Sequence, residues 1–83
     1  MEKVLIILEV PAISSCFEVY IPRTLRVREL AALLAQSVEE LSDHRYVSSG
    51  SELLCLAEPE CLMHADALVK SHPIQNGDRL ILM

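Results

Sequence analysis

Two residues that suit nucleophilic chemistry lie three positions apart in this sequence. Cys61 and His64 have the types that a thiol–imidazole pair needs, in which the imidazole removes the thiol proton and leaves a reactive thiolate. They fall on a short predicted strand and at its exit, where a spacing of three does not by itself aim two side chains at each other. We interpret them as a semi-buried cysteine near an exposed histidine. The sequence therefore predicts no catalytic residue and no enzyme activity.

A metal site is the second chemistry that these residue types allow. Zinc sites usually combine two close pairs of Cys or His. Cys55, Cys61 and His64 make a single loose group, and the other two histidines are isolated. The segment Glu58-Pro59-Glu60 is typical of a solvated turn rather than a calcium site. We predict no metal and no cofactor.

The cysteines and the start of the chain indicate a reducing compartment. Cys16, Cys55 and Cys61 are an odd number of thiols, whereas disulfide frameworks usually hold an even number in secreted chains. The apolar run from Val4 to Leu8 is too short for the core of a signal peptide or for a membrane span. We expect three reduced thiols, a cytoplasmic location and no insertion into a membrane.

Length and charge restrict the class of protein. With 83 residues, 52% of them hydrophobic, the chain suits one domain over residues 1–83 with a packed aliphatic core and some apolar surplus at the surface. Seven basic and twelve acidic residues give a net charge of −5. Nucleic acids and anionic membranes bind through clustered cations. Proteins are therefore the expected partners.

The first half of the sequence predicts a β-hairpin followed by a helix. Lys3 to Val10 and Cys16 to Ile21 alternate as two strands joined by a short turn. Helical spacing predicts one helix from Val27 to about Leu41. Thr24 is the candidate cap because Arg26 is a poor N-cap residue. The helix residues expected to face the core are Val27, Leu30, Ala31, Leu34, Val38 and Leu41.

The second half predicts three more strands. These are Leu53 to Ala57, Cys61 to Met63 and Arg79 to Met83, and one helical turn within Ala65 to Lys70 is expected to bury Leu68. Asn76, Gly77 and Asp78 form a tight structural turn, in which glycine supplies a positive φ and the polar side chains bond to nearby amides. The order β-β-α-β-β-β indicates an α+β fold with one helix across a mixed sheet.

This order, with the closing stretch Ile74-Gln75-Asn76-Gly77-Asp78-Arg79-Leu80, resembles a ubiquitin-like (β-grasp) domain. Within that superfamily the whole chain is most similar to the small bacterial YukD/EsaB proteins encoded with type VII (WXG100, Ess-type) secretion systems. Pro73 departs from the glycine that many relatives carry before the isoleucine. The resemblance implies a cytosolic accessory that engages the membrane apparatus or influences its output.

The end of the chain bears on a carrier function. Ubiquitin and its sulfur-carrier relatives act through a flexible C-terminal Gly-Gly, whereas this sequence ends at Leu82-Met83 inside a predicted strand. We therefore expect no conjugation and no sulfur transfer. Two alternatives stay open: the ubiquitin-like domain of a larger secretion membrane protein, which the Met1 start disfavours, and a carrier relative that has lost its tail.

Ubiquitin-like topology places the first and last strands side by side and leaves one face of the sheet uncovered by the helix. Period-2 alternation turns several apolar side chains to that face, and such a patch usually marks a protein interface. The predicted protein-binding residues are Leu5, Ile7, Tyr20, Leu53 and Ile81, with Cys55 beside them. Scattered exposed aliphatics or a register slip are the alternatives. We predict an adaptor or regulatory protein that docks on partners through this face, with a weak homodimer allowed.

Overall fold

The computed structural model describes residues 3–57 and 60–83, so part of the Glu58-Pro59-Glu60 turn lies outside the described residues. The described residues form five strands, one α-helix and two short 3₁₀ turns, Pro11–Ile13 and Val69–Ser71. The strands and helix are β1 (Lys3–Val10), β2 (Ser15–Pro22), α1 (Val27–Leu41), β3 (Leu54–Ala57), β4 (Glu60–Leu62) and β5 (Asp78–Leu82). The predicted α+β order with one main helix is confirmed.

The strands form one mixed sheet in the order β2-β1-β5-β3-β4. β1 and β5 are parallel neighbours at its centre, while the other neighbouring pairs are antiparallel. Leu8 of β1 lies opposite Leu80 of β5, and Leu54 of β3 lies opposite Leu82. Partners in register share a face of the sheet, so these leucines all face the helix.

The first contact between β1 and β5 is made by the turn before β5. The N–H of Leu5 donates to Asn76 Oδ1 at 2.9 Å, and the N–H of Gly77 donates to the Leu5 carbonyl at 2.8 Å. Gly77 has φ +91°, a conformation that side chains with a Cβ rarely adopt. Asp78 Oδ2 accepts from the N–H of Gln75 at 2.9 Å and closes the turn. Asn76 thus bonds to an amide 71 positions away, and Asp78 to one close by.

The core fills the space between α1 and one face of the sheet. Its fully buried side chains come from all the strands except β4, from α1 and from the segment before β5. The largest include Ile6, Leu8, Ile21, Leu30, Leu54, Ile74, Leu80 and Leu82. Phe17 and Val19 are half-buried and pack against this core from the edge strand β2.

The start of α1 is capped differently from the prediction, which named Thr24. The residue before the helix is Arg26, whose N–H donates to the Glu29 carboxylate at 3.0 Å. The N–H groups of Val27 and Arg28 donate to the carbonyls of Ala67 and Ala65, each at 2.9 Å. The first amides of a helix have no partner within it. Here backbone carbonyls from a distant segment satisfy them, so Thr24 is not needed as a cap.

The same segment differs from the helical turn predicted over Ala65 to Lys70. The carbonyls of Ala65 and Ala67 are directed at α1, and Leu68 forms an isolated bridge with Arg26. A 3₁₀ turn begins only at Val69, which is fully buried, while Leu68 is half-buried. The prediction that Leu68 is the buried residue is therefore wrong by one position, because the bridge to Arg26 holds Leu68 extended and the 3₁₀ turn begins after it.

The structure also contradicts the predicted burial of Leu41 at the end of α1. Leu41 is 59% exposed, although the helical period placed it in the core. The buried stripe continues from Val38 to Ser42, four positions on, and the Ser42 hydroxyl accepts from the N–H of Tyr46 at 3.1 Å. Tyr46 is itself buried and packs with the core beneath the helix end. Because Ser42 and Tyr46 occupy this space, Leu41 is turned to the side of the helix.

Strand bounds after β1 differ from the predicted ones by one residue, and β5 is Asp78–Leu82 rather than Arg79 to Met83. β2 begins at Ser15 and includes Pro22, and β3 begins at Leu54 rather than Leu53. β4 is displaced by one residue toward the N-terminus and leaves Met63 buried outside it. The chain uses Met63 as a core residue that follows the strand, and its N–H donates to the Leu54 carbonyl at 2.9 Å.

Two alanine variants in α1 test the burial pattern. Leu34 is 4% exposed, so Leu34→Ala should lower the free energy of unfolding by about 2–5 kcal/mol. Leu41→Ala removes the same atoms from an exposed site and should change it by less than about 0.5 kcal/mol. Urea unfolding followed by circular dichroism measures both. Equal losses in the two variants would show that Leu41 belongs to the core after all.

Candidate protein-binding face of the sheet

The face of the sheet turned away from α1 is the candidate site, and we call it the outer face. Register places Leu5 opposite Tyr20 on β1 and β2, and Ile81 opposite Cys55 on β5 and β3. Leu53 precedes β3 and pairs with Met83 through two backbone hydrogen bonds of 2.8 and 2.9 Å. Alternation along these strands turns Leu5, Ile7, Tyr20, Leu53 and Ile81 to the outer face.

The predicted residues are exposed to different extents. Tyr20 is 68% exposed and Leu53 is 47% exposed. Leu5, Ile7 and Ile81 are half-buried because they lie on the two central strands, where neighbours on both sides cover them. Cys55 is buried. Tyr20 and Leu53 therefore offer most of the apolar area among the predicted residues.

An ion pair crosses the middle of the outer face. Arg79 lies beside Ile7, and Glu9 lies beside Ile81 in the parallel register. A guanidinium nitrogen of Arg79 is 2.7 Å from a carboxylate oxygen of Glu9, so this pair passes between the two isoleucines. The expected single apolar patch is thus divided into a Tyr20 group, with Leu5 and Ile7, and a Leu53 group, with Ile81. The period-2 pattern showed which side chains face outward, but not this pairing of distant charges.

Two exposed residues that extend the Leu53 group were not predicted. Leu62 is 57% exposed and lies opposite Cys55 on β4. Met83 is also exposed and lies opposite Leu53. The position of Leu62 follows from the register of β3 with β4, and that of Met83 follows from the register of β3 with β5. The sequence contains the alternation of these strands, but the register comes from pairing across the sheet. The Leu53 group comprises Leu53, Leu62, Ile81 and Met83.

The residues suited to nucleophilic or metal chemistry are directed elsewhere. Cys61 is exposed rather than semi-buried, and its Sγ lies 3.6 Å from the Leu62 carbonyl. His64 is exposed as expected, and its Nδ1 accepts from the N–H of Asp66 at 3.2 Å. Burial, followed by the nearby Glu60 and Cys61, raises the pKa of the Cys55 thiol, which favours its unreactive protonated form. Within residues 3–57 and 60–83, no three Cys, His, Asp or Glu side chains form a cluster that suits a metal ion.

A hydrogen bond between Tyr46 and Glu52 holds the loop after α1. The Tyr46 hydroxyl donates to Glu52 Oε2 at 2.9 Å, and the same carboxylate accepts from the N–H groups of Ser49 and Gly50 at 2.6 and 3.1 Å. Burial and the adjacent carboxylate raise the pKa of Tyr46 to about 12. Burial opposes ionisation of Glu52, but its hydrogen bonds outweigh burial and lower its pKa. We assign the pair to folding, since it orders the loop that leads into Leu53.

The α-helix of the described chain has 15 residues, and no helix found there is long and apolar enough to cross a bilayer.

Comparison with known proteins supports the architecture. No family model matches the sequence, and no curated protein matches it significantly. The ubiquitin-like domain of EccD5 from Mycobacterium xenopi superimposes with a TM-score of 0.70 at 13% identity, over 100% of this chain and 94% of that one. A ubiquitin-like domain from Arabidopsis thaliana gives 0.64 at 16% identity, over 100% and 78%. The fold is ubiquitin-like.

A third similar structure belongs to a much longer chain. It is a chain of the MycP5-free ESX-5 inner membrane complex, with a TM-score of 0.70 and 17% identity. The match covers 100% of this chain but 21% of that chain. At these identities the likeness shows a shared fold.

The Tyr46–Glu52 bond makes stability depend on pH in a defined direction. The pKa of Glu52 is lower in the folded chain than its ordinary value of 4.5. Its contribution to stability is therefore fully present above about pH 5 and is lost as pH falls through the folded pKa. The difference in unfolding free energy between the wild type and Glu52→Gln should be constant from about pH 8 to 5.5 and shrink below about pH 4.5.

Urea unfolding across this range provides the measurement. Glu18→Gln makes the same charge change at an exposed site on β2 and corrects for the change in net charge. A wild-type advantage over Glu52→Gln that grows on acidification would contradict the assigned hydrogen bonds.

Proposed function

We propose that this chain is a ubiquitin-like adaptor or regulatory protein that acts by binding other proteins through its outer face. The observation that supports the proposal is the Leu53 group, in which Leu53, Leu62 and Met83 are exposed and Ile81 is half-buried on the face turned away from α1. Contiguous apolar side chains on a small domain are typical of protein interfaces. We propose no catalytic, metal or cofactor site, and no nucleic-acid partner.

We further propose that the chain serves a bacterial type VII secretion system from the cytoplasm, as an accessory related to YukD/EsaB proteins. Two observations support this. The ending from Ile74 to Leu80 resembles that of those proteins. The ubiquitin-like domain of EccD5 and part of a chain in the ESX-5 inner membrane complex have the same fold, each with a TM-score of 0.70. The proposed partners are therefore membrane components of the secretion apparatus.

We favour binding over a carrier function because the two glycines of this sequence, Gly50 and Gly77, are not adjacent, so it contains no Gly-Gly. The backbone of Met83 pairs with that of Leu53 in both directions. A second candidate is a ubiquitin-like domain within a larger secretion membrane protein, because the matched ESX-5 chain is about five times longer than the region it shares with this one.

The area and charge of the outer face favour a complex of weak or moderate affinity. Apolar surface contributes about 25 cal/mol for each Å² that is buried. Association entropy and the ordering of side chains offset much of this gain. The Glu9–Arg79 pair stays satisfied within the chain, so a partner gains little by displacing it. Binding should therefore rest on the Leu53 group, with the Tyr20 group beside it.

The proposal is tested with a photo-cross-linking amino acid at Leu53 or Ile81 in the native cell. We expect adducts with a membrane component of the secretion system, identified by mass spectrometry. A double variant, Leu53→Lys with Ile81→Lys, should abolish these adducts and change the amount of WXG100 protein secreted. The matched control is Val47→Lys, which adds charge at an exposed loop position away from the sheet.

Circular dichroism and light scattering are measured on every variant. Unfolding of the double variant would show that these side chains are core residues. If it folds and keeps both its adducts and the wild-type level of secretion, the outer face is not the working surface. If deletion of the gene leaves WXG100 secretion unchanged, the type VII role is wrong, whereas adducts with other proteins would still support the binding role.

A further inference from the structure

A pocket lies on the helix side of the sheet, where the start of α1 faces the segments before β3 and after β4. It has a volume of about 100 Å³. Protein interiors leave few voids larger than a water molecule. This space stays open because three alanines line it. The apolar lining residues are Val27, Ala31, Ala32, Leu54, Met63 and Ala65.

Hydrogen bonds hold the walls of this pocket in place. The N–H of Arg28 donates to the Ala65 carbonyl at 2.9 Å, and the N–H of Met63 donates to the Leu54 carbonyl at 2.9 Å. The Glu52 carboxylate accepts two backbone N–H groups of the loop before β3, at 2.6 and 3.1 Å. Each wall is therefore fixed before a ligand arrives, which lowers the entropic cost of binding.

The volume of the pocket selects the kind of side chain that fits. An apolar cavity of about 150 Å³ holds a benzene ring. A pocket of about 100 Å³ therefore suits an aliphatic side chain such as that of leucine, and is too small for that of phenylalanine.

The charged residues that line the pocket favour an apolar occupant. They are Arg28 and Glu52, and each has a partner within the chain. Arg28 forms an ion pair with Asp66, and Glu52 accepts from the Tyr46 hydroxyl. A charged group that entered would lose its hydration without gaining a free counter-charge.

Leu53 connects this pocket with the outer face. It lines the pocket and is also a member of the Leu53 group, so the two surfaces meet at this exposed residue. A partner that covers the Leu53 group therefore reaches the pocket. In protein complexes, a few side chains that fill such pockets carry most of the binding free energy.

We propose that the pocket receives one aliphatic side chain of the protein that binds the Leu53 group. The inference rests on the proposed function, and it adds the residue type with which the partner is anchored: leucine, isoleucine, valine or methionine. The Leu53 group supplies the surrounding apolar contact, and the pocket supplies selectivity for side-chain size.

Small probes test the selection by size on the purified protein. The probes are N-acetyl-leucine methylamide and its phenylalanine and alanine analogues, at up to about 50 mM. In NMR spectra the leucine probe should shift the methyl signals of Ala31, Ala32 and Met63 until they saturate. The phenylalanine and alanine probes should bind about tenfold or more weakly than the leucine probe. Absence of saturation with the leucine probe, or tighter binding of the phenylalanine probe, would overturn the inference.

Two variants fill the pocket from opposite walls. Ala32→Leu and Ala65→Leu change exposed residues at its mouth, and each should weaken binding of the leucine probe by about tenfold or more. Gln36→Leu is the matched control, because Gln36 is exposed one helical turn after Ala32 and outside the pocket lining. Circular dichroism checks the fold of each variant. Binding at the wild-type level in both filled variants would overturn the assignment to this pocket.

The same variants test the link to the partner in the native cell. With the photo-cross-linking amino acid at Ile81, Ala32→Leu and Ala65→Leu should lower the yield of adducts by about tenfold, and Gln36→Leu should not. Undiminished adducts in both filled variants would overturn this inference and leave the proposed function standing. If no adducts form at Ile81 even without these substitutions, the proposed function fails, and the anchoring of a partner fails with it.

Discussion

The parallel pairing of β1 with β5 is the constraint on which the rest of the structure depends. It joins residues more than 70 positions apart, so its entropic cost is recovered only when the sheet and the core form together. The N–H of Leu5 donates to Asn76, and the carbonyl of Leu5 accepts from the N–H of Gly77. A slip of one residue would turn Leu80 and Leu82 out of the core. The same register places Ile81 on the outer face beside Glu9. The composition of the outer face therefore depends on the pairing of β1 with β5.

A second long-range contact fixes the helix against the sheet. The backbone of residues 65–69 bonds to the start of α1: Val27 and Arg28 donate to Ala67 and Ala65, and Val69 donates to Leu25. An ion pair between Arg28 and Asp66 lies on the same junction. Since Val69 and Ile74 are fully buried further along, this segment both caps the helix and closes the core on the way to β5. The segment between β4 and β5 thus has a structural role, although it contains no regular structure longer than one 3₁₀ turn in the described residues.

Apolar periodicity was sufficient to predict the helix from Val27 to Leu41 and the strands to within one residue, whereas the ubiquitin-like fold was implied by a family resemblance. It was insufficient where two distant segments compete for one position. Leu41 was predicted as core because the stripe was extended past Val38, but Ser42 and Tyr46 occupy that space through a hydrogen bond. Thr24 was expected as a cap, but the Ala67 carbonyl accepts from the N–H of Val27 instead. Local sequence does not show a partner that lies 40 positions away. The Glu9–Arg79 pair and the exposed Leu62 depend on register between strands, which alternation alone does not determine.

The proposed function rests on an outer face where Leu53, Leu62 and Met83 are exposed in the described fold. Hydroxyl-radical footprinting in intact native cells, compared with the purified protein, tests this most directly because it measures side-chain exposure. We predict that Leu53, Leu62 and Met83 lose reactivity in cells, while exposed Val47 in the loop after α1 does not. Equal reactivity of the Leu53 group in cells and in the purified protein would contradict the claim that this face binds partners.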